Sequence, residues 1–246
     1  MIVMSMLHLQ QNEPESCSWQ HYEQDLLHSA LFRGLQADAL PSLLQTMQAR
    51  LKKLNKKAHI FQMGDRVDRL GILLRGVIEI SRHDILGNSF IIARLDAPSL
   101  FAEVLACAGI RTSPVNISVL EPSVILTLDF NKLLDEEADH LSGRSTLILN
   151  MTEILARKNL MLNSKLDVMS KRSTRAKVAT VLLNAAADQG TIHLYLPYNR
   201  QQLADYLAVD RSALSRELSS MQKEGLITYQ RHNFQLLKPD QLAQLL

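Results

Sequence analysis

The residues best suited to chemistry in this chain are two arginines and two serines within six positions, Arg211, Ser212, Ser215 and Arg216. Apolar residues recur between and after them at helical spacing, so we expect the polar side chains to share the other face of one short helix. Arginine can bind guanine O6 and N7 with two parallel hydrogen bonds, and a serine hydroxyl can donate or accept. The pattern predicts contacts with DNA bases in the major groove.

A second short helix precedes this one and is joined to it by a tight turn. Asn199 can cap its start, and Gln202 three positions later completes a capping box. After a turn at residues 207–209, Asp210 can cap the next helix, and Gly225 suits the left-handed position that ends it. Two short helices joined in this way are the signature of a helix-turn-helix.

Phosphate contacts are expected from residues around this motif. Asn199, Arg200 and Gln201 stand at the start of the first helix, where backbone N–H groups favour anions. Two short strands, residues 226–229 and 234–237, flank Arg231 and would form a wing. These residues would orient the protein on DNA without selecting a sequence.

The charge distribution gives this prediction weak support. Residues 1–138 carry 13 Lys+Arg against 16 Asp+Glu, whereas residues 171–246 carry 10 against 6. An ordinary solvated surface would show a similar balance, so composition alone does not decide the partner. The chain has no glycine-rich phosphate loop, no His-Glu-x-x-His and no Gly-x-Ser-x-Gly, and we therefore expect no enzymatic activity.

The sequence also limits the cellular compartment of the protein and the kinds of metal site that it could form. It shows no secretory signal and no apolar run of the roughly 18 residues that a membrane span needs, which predicts a soluble, cytoplasmic protein without a membrane partner. Its two cysteines, Cys17 and Cys107, cannot form a four-thiolate site within one chain. We therefore predict no four-thiolate metal or iron-sulfur site, and we assign no metal-ligating residues.

The pattern of polar and apolar residues changes along the chain. A polar tail, residues 1–25, precedes a segment of residues 26–138 that begins with short helices and continues as apolar runs punctuated by glycine, aspartate or proline. We expect an antiparallel roll or barrel there, with turns at Gly64-Asp65, Gly76 and Leu86-Gly87-Asn88. The predicted strands are residues 59–62, 70–74, 77–82, 90–95, 115–119 and 124–128.

A long helix is predicted at residues 139–170, followed by a basic hinge at residues 171–175 and a DNA-binding domain that extends to residue 246. Seven residues recur in a heptad pattern that is typical of a helix paired with its twin. A monomeric helix packed against the roll is the alternative. The predicted seam consists of Ile148, Thr152, Leu155, Asn159, Leu162, Leu166 and Met169.

In this order, the helical lead-in, roll, long helix and winged helix-turn-helix resemble the cyclic-AMP receptor and fumarate-nitrate regulator (CRP/FNR) family of bacterial transcription factors. The most specific matches are Gly64-Asp65 and the segments 71–76, 100–103 and 204–225. The resemblance implies an α+β fold with an N-terminal cyclic-nucleotide-binding-type β-roll, a long dimerisation helix and a C-terminal winged helix-turn-helix. It also implies a homodimer on a palindromic operator, with RNA polymerase as a further partner.

Departures from the family pattern argue against cyclic AMP as the effector. Glu103 matches the glutamate that takes the ribose hydroxyl in nucleotide-binding members, but Thr112 or Ser113 occupies the slot of the arginine that pairs with the cyclic phosphate. Arg111 stands just before that slot, and bidentate bonding to a phosphate tolerates little displacement. Ala102 replaces the glycine of the motif. The effector-pocket candidates are Glu103, Arg111, Thr112, Ser113, Leu160 and Met161, the last two in place of the Thr-Ser pair that receives adenine.

The identity of any effector stays open. An iron-sulfur cluster would need four cysteine ligands, which this chain lacks, while haem stays open because eight histidines and nine methionines offer axial ligands. A protein that is always competent to bind DNA is one alternative. Another is a nucleotide-binding-like signalling module whose winged helix serves protein contacts.

Overall fold

The computed structural model describes residues 18–83 and 89–246. The chain forms two compact units that divide between Leu155 and Ala156. The proposed tail lies mostly outside the described residues, and so does the turn predicted at Leu86-Gly87-Asn88.

The described part of the first unit contains one antiparallel sheet around a long central pair of strands. The strands are β1 (Arg50–Leu54), β2 (His59–Phe61), β3 (Leu70–His83), β4 (Ser89–Asp96), β5 (Ser99–Phe101) and β6 (Asn116–Leu128). Strands β3 and β6 pair with each other; β6 also pairs with β1 and β2, and β3 also pairs with β4 and β5.

The central strands are each continuous where the sequence predicted two strands. Gly76 is not a turn: it has a φ of +94° within β3, beside shifts in the register with β6. A Cβ at Gly76 would lie 2.2 Å from Ser123 Oγ, so glycine is needed for this close approach. Pro122 is tolerated in β6 because β1 pairs only from Ser123 onward and β2 only up to Ser118.

The sheet separates two apolar clusters. Alternate residues of β3 point to opposite faces, so Ile72 and Leu74 join the helices while Leu73 joins the interior of the roll. The register shifts around Gly76 reverse this alternation, so Ile78 also faces the interior. Phe101 is the largest fully buried side chain of the inner cluster. The first unit also contains α1 (Glu23–His28), α2 (Leu40–Thr46) and α3 (Glu103–Cys107).

The long helix α4 (Arg144–Ser170) begins later than the predicted residue 139. Gly143 precedes it with a left-handed φ of +81°, and the chain before Gly143 forms two 3-10 turns, at Phe130–Leu133 and Glu136–Ala138. Leu147 and Met151 are buried in the core of the first unit, whereas Val168 is buried in the core of the second. The helix therefore contributes to both units.

The second unit is a winged helix-turn-helix. Its elements are α5 (Thr174–Gln189), β7 (His193–Tyr195), α6 (Arg200–Leu207), α7 (Arg211–Lys223), β8 (Ile227–Gln230), β9 (Asn233–Leu236) and α8 (Pro239–Ala243). The core contains buried residues from α5, from the two helices of the motif and from a small antiparallel sheet in the order β7-β9-β8. Strand β7 was not predicted, so the wing has three strands where the sequence indicated two.

Candidate nucleic-acid interface

Local backbone signals define where α6 and α7 begin and end. The predicted capping box is present: the Gln202 N–H donates to Asn199 Oδ1 at 2.9 Å, and the Asn199 N–H donates to Gln202 Oε1 at 2.8 Å. Ala208 ends α6 with a left-handed φ of +50°, and Gly225 follows α7 with a φ of +69°. Asp210 is the N-cap residue of α7, although its side chain makes no capping hydrogen bond.

Helix α7 divides into a buried face and an exposed polar face. Leu214, Leu218 and Met221 are fully buried in the core of the second unit. The opposite face carries four exposed residues at positions i, i+4, i+7 and i+11, so their side chains form one stripe along the helix. This recognition stripe consists of Ser212, Arg216, Ser219 and Lys223.

The other candidates for base contact flank this stripe. Arg211 is exposed, and Ser215 is half-buried with its backbone carbonyl accepting a bond from Ser219 Oγ at 3.0 Å. Ser219 and Lys223 were not among the predicted contacts. Their spacing from Arg216 was the signal that could have identified them.

The predicted phosphate-contact residues surround the start of α6, but most of their side chains already have partners. Asn199 is engaged in the capping box, and Gln201 Nε2 donates to Asp205 Oδ1 at 2.8 Å. The guanidinium of Arg200 lies 4.9 Å from the ring centroid of Tyr229, which connects α6 to the wing. Arg231 is exposed in the turn between β8 and β9, with a φ of +54°.

A small cavity of about 230 Å³ lies between the start of α6 and the wing. Arg200, Arg231 and His232 line it together with Asn199. The Nδ1–H of His232 donates to the Leu196 carbonyl at 3.1 Å, so this ring nitrogen is already satisfied. The cavity collects cationic groups next to backbone N–H groups at a helix start, which suits an anion such as a DNA phosphate.

An ionic cluster joins the start of α5 to α7. Arg175 Nε lies 3.3 Å from Glu217 Oε1, and Arg175 Nη2 bonds Glu224 Oε2. Ser220 Oγ donates to the other Glu224 oxygen at 2.8 Å. Hydrogen bonds from Arg175 and then Ser220 lower the pKa of Glu224, and the bond to Glu224 raises the pKa of Arg175. Sequence reasoning missed this cluster.

In the roll, the effector-pocket candidates separate into buried and exposed groups. Glu103 is buried at the start of α3, directly after Ala102, whose left-handed φ is +59°. Ser113 is also buried, and its hydroxyl donates to the Val115 carbonyl at 2.7 Å within the same loop. Arg111 and Thr112 are exposed. Leu160 and Met161 lie on the part of α4 that belongs to the second unit, and their side chains are exposed.

The predicted seam on α4 also divides into two parts. Ile148 and Leu155 pack partly against the core of the first unit, while Thr152 is exposed and donates to the Ile148 carbonyl at 2.9 Å. From Asn159 onward the seam residues are exposed. The exposed apolar side chains in this part are Leu160, Met161, Leu162, Leu166 and Met169.

Two further observations concern metal-ion sites and membrane-spanning helices. Within residues 18–83 and 89–246, no group of three or more His, Cys, Asp or Glu side chains is placed to hold a metal ion. In the same part of the chain, no helix is both long enough and apolar enough to span a lipid bilayer.

Comparisons with known proteins agree with this architecture. A Crp-like helix-turn-helix domain matches residues 176–245, and a cyclic nucleotide-binding domain matches residues 51–139. The global nitrogen regulator of Synechocystis sp. is 22% identical over 230 residues, which are 92% of this chain and 98% of that protein. The cyclic AMP receptor protein of Thermus thermophilus is 26% identical over 200 residues, or 81% and 88% of the two chains.

Among solved structures, a CooA mutant from Carboxydothermus hydrogenoformans matches with a TM-score of 0.55 at 19% identity, covering 81% of this chain and 88% of that one. At this identity the likeness concerns the fold. It extends to both halves of the chain.

Proposed function

The chain belongs to the CRP/FNR family of transcription regulators, with a sensing domain and a helix-turn-helix DNA-binding domain, and from this membership we propose that it binds a palindromic operator as a homodimer. In this proposal α7 enters the major groove, and each subunit reads one half-site. RNA polymerase is the further partner that we propose for the DNA-bound dimer. We propose no catalytic role, since the relatives are regulators.

The exposed polar stripe of α7 is the observation that carries the proposal. Arg216 stands at its centre, and Arg211 flanks it near the start of the helix, where the recognition helix of such motifs meets the base edges. We propose that Arg211, Ser212, Ser215 and Arg216 contact bases. We propose phosphate contacts for Asn199, Arg200, Gln201 and Arg231, of which Arg200 and Arg231 line the cavity beside the wing.

The exposed apolar residues of α4 support the homodimer. Leu162, Leu166 and Met169 are 62%, 64% and 47% exposed, and they follow the predicted heptad register. Apolar side chains that recur along one helix face and stand in water indicate a partner surface. Asn159 would lie in the same seam, where its carboxamide now accepts a bond from Asn163 at 2.9 Å.

For the effector, we propose a molecule other than cyclic AMP. The position that would pair with a cyclic phosphate is filled by Thr112 or Ser113; Thr112 is exposed, and the Ser113 hydroxyl bonds within its own loop. Arg111 is exposed beside them. Glu103 stays the candidate for a hydroxyl-bearing ligand in the roll.

Titration of operator and random-sequence DNA tests base reading against phosphate contact. Arg216→Ala should relax preference at one base pair, at a cost of roughly 1 to 3 kcal/mol, whereas Arg200→Ala should weaken binding to all sequences alike. Lys238→Ala is the matched control, because Lys238 is an exposed cation at the start of α8. Equal loss of specific and random binding in Arg216→Ala would remove the base-reading role.

Light scattering of Leu162→Glu/Leu166→Glu tests the dimer. We expect the native chain to be dimeric and this variant to be monomeric with weaker operator binding. The alternative of a signalling module whose wing contacts proteins predicts a different result, namely no steeply salt-dependent retention of the native protein on immobilised duplex DNA.

A further inference from the structure

We propose that Arg175 sets the DNA affinity of the recognition helix by reducing the formal charge of its cluster with Glu217 and Glu224 from −2 to −1, which weakens the repulsion of the phosphate backbone by these carboxylates. The proposal rests on the DNA-binding function proposed above. It assigns Arg175 as a positioning residue that acts through α7 without touching DNA.

Two of the three charges, Arg175 and Glu224, occupy unfavourable positions at the ends of their own helices. Arg175 is the second residue of α5, at the positive end of that helix, and Glu224 directly follows the last residue of α7, at its negative end. A cation at a helix start and an anion at a helix end each oppose the helix dipole. The placement therefore gains its stabilisation from pairing between the two helices.

The pairing is also partly removed from water. The side chains of Arg175 and Glu217 are 30% and 24% exposed. The Arg175 Nε and Glu217 Oε1 atoms are buried and lack a well-oriented hydrogen bond, although they lie 3.3 Å apart. Their attraction is therefore that of opposite charges, and removing the cation would leave a half-buried carboxylate without its counter-charge.

The two carboxylates stand beside the recognition stripe. Glu217 follows Arg216 and Glu224 follows Lys223, so each side chain leaves the helix about 100° around the axis from a basic residue of the stripe. On a helix about 10 to 12 Å wide, that angle puts each carboxylate within roughly 10 Å of the stripe. This distance is close to the screening length at 0.1 M salt, about 10 Å. Unneutralised, the carboxylates would repel DNA at low salt.

The position of Arg175 also connects this cluster to the predicted hinge. Arg175 is the last residue of the hinge segment, residues 171–175, and Ser173 caps α5 two positions earlier through a bond from the Ala176 N–H at 3.0 Å. A hinge movement that withdrew the guanidinium would lower DNA affinity without changing the shape of α7.

The test compares four full-length proteins: the native chain, Arg175→Met, Glu217→Gln/Glu224→Gln, and the triple variant that combines these changes. At about 50 mM salt, Arg175→Met should bind both operator and random DNA about five-fold more weakly, and the difference should shrink below about two-fold near 300 mM. The triple variant has no charge at the cluster, whereas the formal charge is −1 in the native chain and −2 in Arg175→Met, so the triple variant should bind at least as tightly as the native chain. Circular dichroism verifies that each variant is folded.

The double glutamine variant provides a second readout that does not depend on the folding of Arg175→Met. It leaves Arg175 uncompensated next to DNA, so it should bind more tightly than the native chain at low salt. The proposal is overturned if the triple variant stays as weak as Arg175→Met, or if the double variant does not bind more tightly. If the native chain binds DNA and all four proteins bind it with equal affinity, this inference alone is overturned. If the native chain binds no DNA, the proposed function is overturned as well.

Discussion

Replacing Gly71 by alanine should destabilise the first unit because Phe101 covers the glycine. Gly71 of β3 pairs directly with Phe101 of β5, and the ring lies over the glycine backbone. An added Cβ would lie 2.0 Å from Phe101 Cζ, 2.4 Å from Cε2 and 2.5 Å from Cε1. Carbon atoms in contact are about 3.5 to 4.0 Å apart, so the ring must move by roughly 1.5 Å.

The ring has little room to move. Phe101 is 1% exposed and packs among Leu73, Ile117 and Val119 of the inner cluster. Overpacking of this kind costs about 1 to 3 kcal/mol, and we expect the free energy of unfolding of Gly71→Ala to fall within that range. Phe101→Leu removes the ring atoms that clash, so the double variant should be more stable than the sum of the two single changes by about 1 kcal/mol or more.

Urea unfolding, monitored by tryptophan fluorescence, measures the free energy of unfolding of each variant in the first unit alone. Trp19 is the only tryptophan of the chain, and it packs against the core of that unit. The reasoning is refuted if Gly71→Ala unfolds within about 0.5 kcal/mol of the native protein, which is the range of ordinary surface substitutions, or if Phe101→Leu gives no coupling.

Three further changes test other parts of the structure. Asn199→Ala should lower the stability of the second unit by about 1 kcal/mol through loss of the capping box, and Asn199→Asp should not; thermal unfolding of both variants decides this. Ala102→Gly should raise stability by about 0.5 kcal/mol, since relief of the left-handed strain exceeds the added chain entropy; an unchanged or lower midpoint in urea would contradict it. Hydrogen bonds from Arg175 and Ser220 hold the pKa of Glu224 below its ordinary value of 4.5, so its contribution to stability is present above that pH and is lost as pH falls through the lowered pKa. Unfolding between about pH 3 and 6 should show a shallower acid dependence in Glu224→Gln.

The helix-turn-helix could be predicted closely because its signals are local. The capping pair Asn199 and Gln202 and the left-handed Gly225 lie within a few residues of the helix ends that they define, and all three have the expected geometry. The base-contact and phosphate-contact assignments stay predictions, since they concern a partner outside the chain.

The sheet was harder to predict because its pairing depends on residues far apart. Strand β1 contains Arg50, Lys52 and Lys53, whose exposed side chains give it no apolar alternation. The two strands predicted at residues 115–119 and 124–128 form the single strand β6, which pairs with β3 on both sides of Pro122 while its other partner changes from β2 to β1. The Arg175 cluster was missed for the same reason, since 49 positions separate Arg175 from Glu224.

The burial of Val168 has a practical consequence for dissecting the molecule. This residue, 1% exposed, belongs to the core of the second unit, and nearby Lys165 places its ammonium 5.8 Å from the ring centroid of Tyr206. A recombinant fragment that starts at residue 171 would lose both contacts and open the apolar interior to solvent. Truncations meant to isolate the DNA-binding half should therefore start near residue 156, where the last turns of α4 are retained.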